Sequence, residues 1–478
     1  MKIMLVNAPL DEAISKPRVR QVARHLFFNS PPLGIASLAA VMEREGASVG
    51  IIDAAVEGLT TPETLQRIFN FKPDVVGFTS TTSFFMAAVR ASQALKKSHP
   101  RIPVILGGSH VSANPGHALS FSCFDIGVIG EGEETIKELI PALLSGGKLD
   151  SIRGLVCRLN GKLHRTPSRP RIEDLDSLPF PARHLLKLDL YKPQPNDEYR
   201  LPKTAMITSR GCPFSCIFCD KHVFGKNYRA QSPQRIIREV EHVHSQYGIR
   251  DVAFVDSCFG PGPERLKKVV AGFKKHPLPV SWTCSIRCNA VTEEILREMR
   301  EVGCWRVRVG IESGSDRVLK FIKKGITTAD ARRASTWASR VGLRPKAFFM
   351  IGHLIDNRQT IEETIRFARS LPFHDITVQI NTPMFGTAQY DMASRYGHID
   401  HARLSDLTYF EPVFIPQGMT KKELDYLFRK IYRSFYLRPI TIWRHLKKIR
   451  RISDLRKYIR ALKLVWYLMN PLGKIQNR

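Results

Sequence analysis

Over the first 150 positions, short runs of consecutive apolar residues alternate with longer stretches of helical periodicity. Lys2–Asn7 is one such run, closed by Asn-Ala-Pro, and Ser48–Asp53, Asp74–Thr79, Val104–Leu106 and Asp125–Ile129 repeat the pattern. Between them lie amphipathic stretches: Pro32–Glu45 closed by Gly46, Thr61–Phe69 with Pro62 in its first turn, Phe85–His99 and Glu133–Ser145. Strands that are apolar on both faces and separated by helices predict a parallel sheet covered on both sides. Such sheets bind ligands at the carboxyl ends of their strands. The loops Asn7–Leu10, Ser80–Ser83, Gly107–His110 and Gly130–Glu133 are therefore expected to share one rim.

Residues 151–200 break the alternation with RTPSRPR, SLPFPAR and KPQPND. Proline fixes φ and lacks an N–H donor, so this stretch reads as a connector, with a small hairpin around Asn160-Gly161. Alternation resumes over 201–390. Strands are expected at Thr204–Thr208, Asp251–Val255, Ser281–Ser285, Arg306–Ile311, Lys346–Ile351 and Ile376–Asn381, with helices such as Pro233–Tyr247 and Thr292–Glu301 between them. Six β/α units predict a partial (β/α)6 barrel of TIM type, whose reactive groups belong at the carboxyl ends of the strands. Residues 391–478 read as a mainly helical extension, with helices Lys421–Tyr436, Ile440–Ile449 and Ile452–Met469. The fold class is α/β: a doubly wound, Rossmann-like unit over 1–150, the connector, the barrel and the extension.

Charge adds an asymmetry. The chain carries 73 Lys and Arg against 44 Asp and Glu, a net +29. From Thr420 to Arg478 there are 17 basic and 3 acidic residues, so about half of the excess sits in the extension. Such a balance favours an anionic partner. Basic positions such as Arg444, Lys447, Lys448, Arg450 and Arg451 interleave with Ile442, Trp443, Leu446 and Trp466. A helix of that kind can lie on an anionic membrane surface. The alternative reading gives the apolar positions to the open side of the partial barrel. No run of about 18 uncharged apolar residues occurs, so a spanning helix is not expected. The start MKIMLVNAPL lacks the features of a secretion signal, and a cytoplasmic protein is expected, with peripheral contact at the inner face of the membrane as an added reading. No RNA-recognition signature follows the barrel, which disfavours nucleic acid as a partner. Nine cysteines in so long a chain do not suggest a disulfide framework.

The chemistry concentrates in Ser209-Arg210-Gly211-Cys212-Pro213-Phe214-Ser215-Cys216-Ile217-Phe218-Cys219, directly after the first barrel strand. Three thiolates spaced Cys-x3-Cys-x2-Cys on one tight loop can hold three irons of a [4Fe–4S] cube and leave the fourth open. Gly211 and Pro213 suit a loop that wraps closely, and Phe214 and Phe218 can shield it. A structural zinc site would call for a fourth ligand. Cys258, Cys284, Cys288 and Cys304 lie at or beside strands and read as buried thiols, and His353 reads as a surface or hydrogen-bonding loop residue.

This loop resembles the cluster loop of the radical S-adenosylmethionine superfamily. The resemblance implies that Cys212, Cys216 and Cys219 bind the cluster, that Phe218 contacts adenine, and that S-adenosylmethionine chelates the open iron. It extends to Asp256 and Ser257 after the second strand, near the methionine amino group, and to Arg287 after the third. It reaches Glu312 and Ser313 in Gly310-Ile311-Glu312-Ser313-Gly314 after the fourth. Glu312 could meet ribose hydroxyls or the ammonium, and Arg287 the carboxylate; scaffold pairing of the two is the alternative. The later segments Gly352–Thr360 and Thr382–Thr387 depart from the family's pattern.

The first unit resembles the cobalamin-binding domain of the cobalamin-dependent members. Ser80, Thr81, Thr82, Gly107, Gly108, His110, Gly130 and Glu131 carry that likeness and are the expected cobalamin contacts. The Asp-x-His-x-x-Gly motif is absent, because Asp53–Gly58 has Ala55 at the histidine position and follows the second strand, so no histidine ligand to cobalt is expected. The resemblance implies methyl transfer to an unactivated carbon of a small-molecule or lipid substrate. It also implies a reducing partner such as flavodoxin or ferredoxin. Radical cyclisation or oxidation without methyl transfer, and RNA modification, are the rival chemistries.

Overall fold

The computed structural model describes residues 1–11, 29–159, 161–194, 197, 199–404 and 412–446. The first sheet contains β1 (Lys2–Asn7), β2 (Ser48–Asp53), β3 (Val75–Thr79), β4 (Val104–Gly107) and β5 (Ile126–Val128), in the order β2-β1-β3-β4-β5 and all parallel. Each strand was legible as an apolar run because helices cover both faces, leaving Val6, Val75, Val76 and Leu106 fully buried. Strand order reverses at β1, where Asn7 pairs with Asp53 on one side and Thr79 on the other. That reversal opens a crevice at the carboxyl ends, the usual ligand position in such sheets.

The connector is partly built into this sheet. β6 (Leu155–Leu159) runs antiparallel to β5, and β7 (Lys162–Arg165) forms the outer edge. Leu155, Val156 and Cys157 are buried in the sheet, while β7 is exposed along its length with Lys162 and Arg165 on it. A charged edge strand discourages pairing with a second chain.

The barrel begins with β8 (Lys203–Met206). A two-residue ladder between β9 (Ser209–Arg210) and β10 (Arg229–Ala230) then pins the following loop. β11 (Asp251–Phe254), β12 (Ser281–Ile286), β13 (Cys304–Glu312), β14 (Lys346–Ile351) and β15 (Asp375–Ile380) complete six parallel strands in sequence order. This is the half-barrel the sequence predicts. Thr208 lies beyond the first strand because its N–H and hydroxyl turn to Asp256.

The amino-terminal end of the barrel is closed by buried charge. Arg306 on β13 donates to Asp375 on β15 (2.7 Å) and to Asp197 of the connector (2.6 Å). Lys346 reaches Asp197 (3.1 Å), and Lys203 reaches Asp251 (3.0 Å). Burial alone would raise Asp197, but Lys346 and Arg306 hold it well below the ordinary carboxylate range. A network at this end serves stability, since barrel chemistry belongs at the other rim.

The helix Lys421–Tyr436 forms with the predicted bounds and packs on the open edge of the barrel. Tyr432 accepts a hydrogen bond from the Val378 N–H (2.9 Å) and donates to the Val378 carbonyl (3.0 Å); Tyr436 does the same at Ile376 (3.3 and 3.1 Å). The two hydroxyls thus satisfy edge groups of β15 that no further strand pairs. Removing one by Tyr432→Phe is expected to cost about 1–3 kcal/mol, because Val378 keeps two buried groups without partners. A thermal melt should show a midpoint several degrees lower; an unchanged midpoint would mean that water replaces the hydroxyl. The next helix, Pro439–Leu446, covers the first part of the expected Ile440–Ile449. The expected helix Ile452–Met469 lies outside the described residues.

Candidate active site

The Cys212–Cys219 loop leaves the carboxyl end of the barrel and is held from several sides. Gly211 has φ +83°, and a Cβ there would fall 2.0 Å from the Asn227 carbonyl, so only glycine fits. Asp256 accepts hydrogen bonds from the N–H groups of Thr208 (2.5 Å) and Ser209 (2.6 Å) and from the Thr208 hydroxyl (2.9 Å). Ser209 donates to the Cys258 carbonyl (3.0 Å), and Ile217 is tied to Ile322 (3.1 Å) and Gln389 (3.0 Å) through the main chain. Burial pushes Asp256 up to about 6 despite those hydrogen bonds. Its carboxylate therefore supports the loop, whereas Ser257 beside it is exposed on the rim.

Cys212 and Cys216 are half-buried and Cys219 is exposed. A hydrogen bond from buried Cys258, with help from Lys221 and Arg287, pulls the Cys212 thiol down to about 6. Desolvation pushes the Cys219 thiol up to about 11, with the negative charge of Cys212 and Cys216 adding to it. The three sulfurs are thus close enough to repel one another. Yet among the described residues no three of His, Cys, Asp and Glu converge as they would on a single metal ion. Three thiols near one another on one loop, with Lys324, Lys221 and Arg287 around them and no fourth protein ligand in the loop, could hold three irons of a polynuclear iron–sulfur group.

Glu312 ends β13 in the left-handed region, at φ +74°, where the register with β14 shifts. A non-glycine residue there is strained, a condition found mostly at functional sites. Its carboxylate pairs with Lys324 (2.7 Å), a buried lysine whose charge also bears on Cys216. Arg287 does not pair with Glu312: its guanidinium stacks 3.5 Å over Phe214 and donates to the Lys324 and Gly325 carbonyls. Ser313 is buried against the Thr364 hydroxyl (3.2 Å), and a Cβ on Gly314 would meet Thr364 at 2.7 Å. These two residues are scaffold.

At the rim of the first sheet, a Cβ on Gly108 would fall 2.4 Å from the Ser80 carbonyl, so glycine is required for β3 and β4 to meet. Gly107 and Gly130 have nothing closer than 4.0 and 3.9 Å, leaving room above the sheet. They border a mainly apolar cleft that is partly open to solvent. Its floor and walls include Leu5, Gly77 and Leu38 from the first unit, Pro179 from the connector, and Ile207 and Phe224 from the barrel. A mainly apolar, glycine-lined cleft at the switch point is where a corrinoid and its tail would lie, and no histidine lines it among the described residues. Ser80 is buried with its hydroxyl on the Thr81 carbonyl (2.9 Å), and Thr81 is exposed on the rim.

Two expected cobalamin contacts are otherwise engaged. Glu131 is buried and pairs with Arg229 (2.5 Å), while its neighbour Glu133 pairs with Arg210 (2.5 Å). Both arginines flank the cysteine loop, so the two rims are clamped together. His110 is fully buried, with Nδ1 on the Thr82 hydroxyl (3.2 Å), Nε2 on His117 (3.0 Å), and its ring stacked on Phe85. Burial pushes its pKa down to about 3, against 6.5 in an open chain. Below pH 6.5 the unfolded chain takes up a proton that the folded one refuses. Stability from this group is therefore present above pH 6.5 and is lost as pH falls toward 3. His110→Asn removes that proton uptake. Between about pH 7.5 and 5 the wild type is expected to lose more of its thermal midpoint than the variant; equal losses would contradict the buried neutral ring.

Sequence reasoning missed Lys324, Cys258 and the Glu131/Glu133 clamp, and it placed His353 at a surface or hydrogen-bonded position whereas the ring is fully buried. The only local signal was compositional, a lysine pair before Gly325 and acids within a glycine loop. The partners lie between 12 and 98 residues away.

Comparison with known proteins agrees with this architecture. The family model of the radical SAM superfamily matches residues 206–368, and that of the B12 binding domain matches residues 19–140. The chain is 37% identical over 441 residues to "Uncharacterized methyltransferase PH0819" of Pyrococcus horikoshii, covering 92% of this chain and 93% of that one. It is 27% identical to the anaerobic magnesium-protoporphyrin IX monomethyl ester cyclase of Rubrivivax gelatinosus, over 86% of this chain and 74% of that one. Among solved structures it superposes on the cobalamin-dependent S-adenosylmethionine radical enzyme OxsB, with aqua-cobalamin and S-adenosylmethionine bound. The TM-score is 0.73 at 16% identity, covering 97% of this chain and 70% of that one.

Proposed function

This chain belongs to the radical S-adenosylmethionine superfamily, in the branch with a B12 binding domain ahead of the barrel, and on that premise we propose that it methylates an unactivated carbon of a small-molecule or lipid-like substrate. The observation that supports this reading most is the clamp of Glu131 and Glu133 on Arg229 and Arg210. It ties the glycine-lined rim to the cysteine loop, so both cofactors would serve one substrate between them. When bound, the [4Fe–4S] cluster supplies the electron that cleaves S-adenosylmethionine, and cobalamin carries the methyl group.

The chain's own residues divide the remaining work. Cys212, Cys216 and Cys219 hold the cluster, and Asp256 keeps their loop in place. With S-adenosylmethionine bound, Phe218 would lie against adenine and Glu312, now paired with Lys324, would meet ribose hydroxyls or the methionine ammonium; Arg287, now on Phe214 and the Lys324 and Gly325 carbonyls, would turn to the carboxylate, and Ser257 would offer a rim hydroxyl to the amino group. Gly107, Gly108 and Gly130 admit the corrinoid, and Thr81 and Thr82 line its edge. Phe214 and Phe218 exclude water from the loop. A reducing partner such as flavodoxin or ferredoxin would deliver electrons at the exposed Cys219 side.

The similarity to a cyclase keeps ring closure or oxidation without methylation as the second reading. Metabolites accumulating without the enzyme, given to reduced, reconstituted protein with methyl-labelled S-adenosylmethionine, distinguish the two. Label in the product is expected; full turnover of substrate without label would reject methyl transfer. Contact with an anionic membrane is supported by exposed Leu437, Ile440, Ile442 and Trp443 near the basic end of the chain. Co-sedimentation with anionic liposomes should be lost on truncation after Tyr436, and equal binding of both forms would reject it. Among the described residues no helix is long and apolar enough to cross a membrane.

A further inference from the structure

Lys324 is a cation withdrawn from water beside the cysteine loop. It is 8% exposed, in a tight turn where Lys323 takes φ +51° and Gly325 φ +68°, and its N–H donates to the Leu319 carbonyl (3.0 Å). That turn is fastened to the loop, because the Ile322 carbonyl accepts from the Ile217 N–H (3.1 Å). The Lys324 ammonium stands 5.7 Å from the Phe218 ring, and its charge reaches Cys216 and Cys219. A buried ammonium is unfavourable unless a counter-charge offsets it. Glu312 provides that counter-charge at 2.7 Å, and among the described residues it is the one carboxylate in an ion pair with Lys324. Burial alone would lower the lysine pKa, but Glu312, with Cys216 adding to it, holds it above its ordinary value. Lys324 is therefore charged at neutral pH.

Two arrangements of this pair differ in what the sulfurs feel. With the carboxylate in contact, the two charges largely cancel. With the carboxylate turned away, a full positive charge is left where little water screens it. The potential of an iron–sulfur cluster follows the net charge around it, and added positive charge favours the reduced form. Glu312 is also the residue expected to meet the ribose hydroxyls or ammonium of S-adenosylmethionine, and drawing its carboxylate toward that ligand weakens its hold on Lys324. Its backbone lies in the left-handed region at φ +74°, with a shift of register against β14, so the chain accepts strain to place this carboxylate here.

We propose that Lys324 sets how readily a cluster on this loop takes an electron, and that Glu312 masks the lysine until S-adenosylmethionine draws the carboxylate away. This depends on the rim being the S-adenosylmethionine site. Lys324 acts through charge, as a positioning residue, and keeps its proton in both arrangements. Electron entry is thereby favoured when the cosubstrate is in place, which limits idle reduction of the cluster.

The test is a redox titration of anaerobically reconstituted full-length protein at neutral pH, followed by the electron paramagnetic resonance of the reduced cluster. Glu312→Gln unmasks the lysine and should favour reduction at least about tenfold, a rise of about 59 mV for one electron. Adding Lys324→Met should return the potential toward the wild type, whereas adding Lys324→Arg, which keeps the charge, should preserve the rise. A change of packing at Glu312 would move all three variants alike. A Glu312→Gln potential within about twofold of the wild type in reduction equilibrium would overturn the proposal, as would a double variant with Lys324→Met that stays as high as the single one. A second comparison uses S-adenosylhomocysteine, which is unreactive and keeps the hydroxyls and the ammonium. It should raise the wild-type potential more than that of Lys324→Met, and equal rises would overturn the proposal. Should Glu312→Gln lose its iron, this comparison decides alone. Failure of the wild type to bind the probe in equilibrium dialysis would instead overturn the reading of the rim itself.

Discussion

Cys216→Ala protein, reconstituted without oxygen, is expected to hold far less iron than the wild type, which should carry about four irons per chain. The effect should be near complete because the chain offers no substitute. Cys258, the nearest other thiol, is buried and bonded to Cys212, and its thiol is held far above its ordinary range by that bond and by burial. Cys284, Cys288 and Cys304 are buried at or beside strands, where a thiolate would be poorly solvated. Iron analysis and the visible spectrum of the anaerobic protein provide the measurement. A normal cluster in Cys216→Ala would remove it from the ligand set.

The largest stability effect is expected at Arg306. Its guanidinium is enclosed and bridges Asp375 and Asp197. Arg306→Met leaves both carboxylates buried beside a neutral side chain, which should cost about 3–5 kcal/mol. Thermal melts should show a strongly lowered midpoint and a poor soluble yield. Adding Asp375→Leu should recover much of the loss, because a buried pair replaced on both sides by apolar groups is often neutral. A double variant no better than the single would show that Asp197, and not Asp375, carries the penalty.

Much of this architecture is readable from the chain because its determinants are local. A six-residue apolar run such as Lys2–Asn7 has one sensible placement in a covered parallel sheet, and it forms with the expected bounds. Helix Pro233–Tyr247 also forms as expected, with Ser232 capping it and Gly248 ending it in the left-handed region. The cysteine loop is legible because its chemistry is encoded within eight consecutive residues.

Pairings across the fold are not legible in the same way. Glu312 and Arg287 lie at neighbouring strand ends and carry opposite charge, so pairing them is reasonable, yet Lys324 takes the acid and Phe214 the guanidinium. Glu131 sits in a glycine loop that looks built for a ligand, but arginines from beyond the connector claim it. His353 gives no periodic or motif signal, because its burial depends on how β14, the cysteine loop and the turn at Asp356 come together. Cys157 lies in a proline-rich connector by composition, yet it faces Ile126 across an antiparallel ladder.

Everything proposed for this rim depends on its binding a cluster able to cleave S-adenosylmethionine reductively. The most direct measurement is 5′-deoxyadenosine formed by the anaerobically reconstituted, chemically reduced full-length protein given S-adenosylmethionine, with Cys216→Ala in parallel. 5′-Deoxyadenosine and methionine are expected from the wild type and none above background from the variant. A wild-type protein with a complete, reducible cluster that forms no 5′-deoxyadenosine, with or without cobalamin and candidate substrates, would contradict that reading of the rim.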